Sequence, residues 1–105
     1  MKATNVLFGV FATHSPESCP LNNKKSKEMF IGMQRKIDSN LKKFNITKLV
    51  GFYMSALEHE WVIILDAKNA HGIEQFCIAV GISSISVVKI VPMNNFSDIL
   101  KKLKH

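Results

Sequence analysis

Four side chains, His14, Cys19, His59 and His71, offer the nitrogen and sulfur donors that bind borderline or soft metal ions. Neutral imidazole and thiolate together suit zinc, copper or nickel. Glu58 and Glu60 flank His59, and Glu17 lies between His14 and Cys19. Each of these carboxylates is a candidate fourth ligand, or a group that orients a ligating imidazole from behind. The spacing His14-x4-Cys19 is not that of a zinc-finger knuckle, so the fold has to assemble the set. A second chemistry uses the same histidines. His14 or His59 at the mouth of an apolar pocket would carry protons near neutral pH for a cofactor-free enzyme or a small-molecule binder. That pocket would lie between sheet and helices, lined by Phe8, Phe30, Met33, Tyr53, Trp61 and Phe76. The competing reading makes His14 and His59 exposed polar residues, Cys19 a loop thiol and the aromatic positions plain core.

Other chemistries find little support. There is no glycine-rich phosphate loop and no Ser-His-Asp or Cys-His-Asn signature. Nothing in the spacing of Glu17 and Glu60 favours an acid–base pair, and Asp66 reads as a helix cap. Of the 14 positive residues Arg35 is the only arginine, and the aromatic residues do not interleave with the lysines. A net charge of +6 carried this way implies solvated faces and no specific nucleic-acid partner.

The elements that must position these groups follow from composition and periodicity. A length of 105 residues, 47% apolar and 21% charged, predicts one domain over 1–105 with a real core. The run Val6 to Thr13 is about half a membrane span, and no small-residue cleavage site follows it after Lys2, so it reads as a first strand. Two cysteines make no disulfide scaffold; free thiols in a reducing, cytoplasmic compartment are expected. After the prolines at 16 and 20, Asn22 or Asn23 caps a helix whose Phe30, Met33, Ile37, Leu41 and Phe44 form one stripe, with Asn45 as its left-handed stop.

Lys48 to Leu57 and Trp61 to Leu65 read as strands joined by a turn at Glu58-His59-Glu60. A second helix opens at Lys68-Asn69, buries Ile73, Phe76, Cys77 and Val80, and ends at Gly81. Ser84 to Val91, closed by Pro92, reads as the last strand, and Asn95 caps a final helix with Phe96, Ile99, Leu100 and Leu103 inward. The order βαββαβ plus a helix is an α+β, ferredoxin-like pattern, for which right-handed crossovers give a sheet order of 4-1-3-2. In that topology His14, Cys19 and His59 converge at one end of the sheet, and His71 belongs to the other. Cys77 reads as an inert core thiol. The unbroken apolar run of the third strand leaves the bare sheet face in need of a cover, most simply a second copy.

The stretch from Val50-Gly51-Phe52-Tyr53 through Ile64-Leu65-Asp66-Ala67 to Val87-Val88-Lys89-Ile90 resembles the dimeric α/β-barrel proteins. Within them the opening His14-Ser15-Pro16-Glu17-Ser18-Cys19-Pro20 is similar to the H-x-P-E-x-C-P start of small uncharacterised domains that include nickel-binding members. The resemblance implies a homodimeric barrel and adds weight to a metal at the His/Cys set. The superfamily also hosts monooxygenases and isomerases, which keeps the cofactor-free alternative open.

Overall fold

The computed structural model describes residues 5–104; the rest of the expected 1–105 domain, Lys2 included, lies outside the described residues. Strand β1 (Val6–Thr13), helix α1 (Lys24–Asn40) and strands β2 (Ile46–Ser55) and β3 (Glu60–Ala67) come first. Helix α2 (Ala70–Val80), a single turn α3 (Ile82–Ile85), strand β4 (Val87–Met93) and helix α4 (Phe96–Leu103) complete the order. The sheet is antiparallel with the order β2-β3-β1-β4 that right-handed crossovers require. This is the expected ferredoxin-like α+β architecture.

Alternation sorts the two faces of the sheet. Trp61, Ile63, Leu65 and Ala67 of β3 are buried while the residues between them are half-buried. Pairing of Ala12 with Trp61, Val10 with Ile63 and Phe8 with Leu65 sets β1 in phase. These residues pack on Met33 and Ile37 of α1 and on Ile73, Phe76 and Val80 of α2. The Asn23 side chain caps α1 by accepting the Ser26 N–H, and a short 3-10 turn after α1 stops at Asn45, φ 61°. For α2 the cap is Asn69 and the stop is Gly81, φ 93°. Asp66 is not a cap: it lies inside β3, opposite Leu7. A Cβ on Gly72 would collide with the Phe44 carbonyl oxygen, so glycine lets α2 start hard against the end of the first helical segment.

Several boundaries differ from the sequence reading. Strand β2 starts at Ile46, which is buried opposite Ala67, and Ala56 to His59 form the hairpin loop. Strand β4 starts at Val87, because buried Ile82 and the Ser84 hydroxyl, donating to the Gly81 carbonyl at 2.6 Å, make residues 82–85 a helical turn. Pro92 lies within β4 and does not close it; an edge strand tolerates a residue without an N–H. The expected inward face of α4 is also corrected. Phe96 and Leu103 are 74% and 76% exposed, and Ile99 alone of the four is half-buried. With α4 projecting, the radius of gyration is 15.2 Å, against about 13 Å for a compact domain of this size.

The other sheet face carries Leu7, Phe11, Val62, Ile64, Val91 and Met93, all half-buried, with Tyr53 64% exposed. Lys24, Lys25 and Lys27 lie on the exposed side of α1, and Lys101 and Lys102 are exposed on α4. Among the described residues no helix is long and apolar enough to cross a membrane.

Candidate metal centre

His14 is the first residue beyond β1, and the loop after it is held by its own bonds. Pro16 confines Ser15 to extended backbone, where the Ser15 hydroxyl accepts the Ser18 N–H at 3.3 Å and caps a 3-10 turn over Pro16–Ser18. Pro20 does the same to Cys19, whose carbonyl accepts the N–H groups of Asn22 and Asn23, each at 2.9 Å. The Asn23 side chain then donates to the Glu17 carbonyl at 2.9 Å. Across the gap, the Glu58 N–H donates to the Ser55 hydroxyl at 3.2 Å in the β2–β3 hairpin. His59 adopts φ 53°, a left-handed conformation that His tolerates better than most side chains. Its carbonyl accepts the His14 N–H at 3.0 Å, which clamps loop and hairpin together.

One donor atom each of His14, Cys19 and His59 lies within 4.8 Å of the others. His14 is 5% exposed and His59 half-buried, so neither is the exposed polar residue of the competing reading, and Cys19, a loop thiol as that reading has it, is 2% exposed. The two imidazole centroids are 5.6 Å apart with their planes at 73°. Both His14 ring nitrogens and His59 Nδ1 are buried with no hydrogen-bond partner. Each such atom costs about 1–3 kcal/mol when left unsatisfied. Burial first, and the neighbouring His59 second, lower the His14 pKa below 6.5, which keeps its imidazole neutral and a lone pair free. Donors bound at about 2.0–2.3 Å around one ion stand roughly 3.5–4 Å apart, so closure of about 1 Å brings these three into ligation.

The other expected donors are elsewhere. Glu17 and Glu58 are exposed, and the half-buried Glu60 accepts from the Thr13 hydroxyl at 3.5 Å; none joins the cluster. His71 is exposed in the first turn of α2, the length of β3 away, which at the rise of a strand is ~20 Å or more. Cys77 is buried under α2, and burial, then Glu74, push its thiol up to about 12.

The six residues expected to line a pocket separate. Phe8, Trp61 and Phe76 are core. Phe30 and Met33 border an open groove of about 470 Å³ between α1 and β2, with Phe52 and Met54 opposite. Tyr53 is paired with Val62 and faces the bare side of the sheet, since one step in a strand reverses the side chain. Phe52, not Tyr53, is the inward aromatic residue of β2. Trp61 has a larger part than a lining residue: its indole is 5.4 Å from the His14 ring and 5.3 Å from Phe30, and so walls the cluster. Its position two residues after His59, at the start of an alternating strand, is the signal that finds it.

No protein-family model matches the chain, and no curated protein matches it. Solved structures do. A candidate antibiotic biosynthesis monooxygenase from Bacteroides thetaiotaomicron is 8% identical with a TM-score of 0.58, over 89% of this chain and 90% of that one. One of the same description from Nitrosomonas europaea is 9% identical with a TM-score of 0.54, over 91% and 94%. A Pseudomonas aeruginosa protein is 10% identical with a TM-score of 0.58, over 91% and 98%. At such identities the likeness is one of fold: the chain has the ferredoxin-like α+β fold.

Proposed function

We propose that this chain is a small metal-binding protein that holds one zinc, copper or nickel ion through His14, Cys19 and His59. The observation that carries this is one donor atom from each of two imidazoles, both rings with unpartnered buried nitrogens, gathered within 4.8 Å of a buried thiol. A bound ion would take one nitrogen from each ring together with the Cys19 sulfur. The prolines flanking the loop and the Cys19 carbonyl bonds hold His14 and Cys19 before the ion arrives, which lowers the ordering cost of binding. The Cys19 thiol and any imidazolium must lose their protons before they ligate, so affinity falls as pH drops. Because the His14 pKa is lowered, that residue's share of the loss begins below 6.5. Titration with each of the three ions tests the reading: His14→Ala, Cys19→Ser and His59→Ala should each weaken binding, and unchanged affinity in all three would end it.

The protein acts as a homodimer in this reading, with the bare sheet face against a second copy. Leu7, Phe11, Val62 and Ile64 supply an apolar centre, and about 800 Å² per partner is the usual size of a stable contact. Light scattering should give twice the 11.8 kDa chain mass, and Val62→Glu should give monomers; a monomeric wild type at micromolar concentration removes the barrel.

A second reading is favoured by the fold shared with monooxygenase candidates and by the groove beside Phe30. A cofactor-free enzyme or binder would seat an apolar small molecule between α1 and β2. Failure of every ion to bind, together with ligand-dependent quenching of Trp61, would favour it.

A further inference from the structure

We infer that the ion is monovalent copper, Cu(I), with the Trp61 indole lying against it; this rests on the metal-site reading above. The donor set is one thiol and two imidazoles, with no carboxylate of the described residues in the cluster. A thiolate and two neutral imidazoles carry one negative charge between them. Cu(I) makes the site neutral, whereas a divalent ion leaves one positive charge unpaired. Unpaired charge is expensive where His14 is 5% and Cys19 2% exposed.

Coordination number points the same way. Structural zinc sites close with four ligands, and the cluster supplies three. Thiolate is the soft donor that selects Cu(I). The side of His14 toward Trp61 is an aromatic wall: Trp61 is fully buried 5.4 Å from His14, with Phe30 and Phe52 at 5.3 and 6.2 Å behind it. Such a wall has no lone pair to offer a divalent ion. An indole face does attract a cation, more strongly than the other aromatic rings do. His59, the half-buried member on the hairpin loop, marks the side on which the ion enters and leaves. A closed, neutral site of this kind stores copper or passes it on; it does not present the ion to an organic substrate.

The test is an anaerobic titration of the full chain with Cu(I), followed by the fluorescence of Trp61, the one tryptophan of the sequence. One equivalent should quench the emission, and Cu(I) should displace Zn(II) added in equal amount. X-ray absorption at the copper edge should show two nitrogen scatterers and one sulfur. Cys19→Ser should weaken Cu(I) binding more than about 100-fold, the upper end for losing a mere supporting partner. Trp61→Phe should bind Cu(I) several-fold more weakly and Zn(II) as the wild type does. Retention of Zn(II) against equimolar Cu(I), or Cu(I) binding without quenching, overturns the assignment of copper and leaves the site. Binding of neither ion by wild-type protein with a native circular dichroism spectrum overturns the site itself.

Discussion

Cys19 and Cys77 are both free and both buried, at 2% and 1% exposure, and their surroundings give them different chemistry. Cys77 sits on the inward stripe of α2, and burial and Glu74 push its thiol up to about 12. Cys19 sits in a loop stiffened by prolines, with two imidazoles at donor distance and no hydrogen bonds to occupy them. Burial therefore says little about a thiol; what stands next to it decides. Apolar neighbours make a filler of core space. Unsatisfied nitrogens, each a cost to the fold, make a site that a ligand can stabilise.

The largest effect expected from this contrast is thermal. An ion at about 100 times its Kd stabilises the fold by about 2.7 kcal/mol, which for a domain of this size raises Tm by roughly 10 °C or more. Calorimetry should find that shift in the wild type and in Cys77→Ala, and none in Cys19→Ser. Cys77→Ala should itself cost ~1 kcal/mol of stability through the cavity it leaves. A shift lost in Cys77→Ala and kept in Cys19→Ser would reverse the roles of the two thiols.

Acid sensitivity comes next. The unfolded chain takes up a proton at His14 near pH 6.5, while the folded chain, whose His14 pKa is lowered, takes it up only in more acid solution. Acidification therefore favours the unfolded state, from about pH 6.5 down to the folded pKa, where the effect levels off. Chemical denaturation of the metal-free protein across that window should show falling stability, and His14→Gln should flatten the slope. A wild type whose stability is constant from pH 7 to 5 would show that His14 is solvated.

How much of this was legible in the sequence differs between elements, for physical reasons. Stripes and caps fixed by local chemistry, such as Asn23, Asn45, Asn69 and Gly81, stand where spacing and residue type put them. So does the meeting of His14, Cys19 and His59, because chain order and handedness leave one sheet arrangement. What failed depended on tertiary context. Tyr53 and Phe52 exchange faces with a single step of register, which a strand apolar on both sides does not reveal. The turn 82–85 forms because Ile82 is anchored in the core, and Phe96 and Leu103 have the spacing of a buried face without a surface beneath them in one chain.

The smallest effect sharpens the contrast between the two ends of the sheet. His71→Ala, at the end opposite the cluster, should leave ion affinity unchanged and stability within about 0.5 kcal/mol, as for other exposed positions. A loss of affinity equal to that of His14→Ala would mean that the fold brings the two ends together.

The central claim meets its most direct test in elemental analysis of protein loaded with an equimolar mixture of zinc, copper and nickel under reducing conditions and passed through gel filtration. One ion retained per wild-type chain, and none in Cys19→Ser, is the predicted result. No ion in the wild type, or as much in Cys19→Ser as in the wild type, would contradict it.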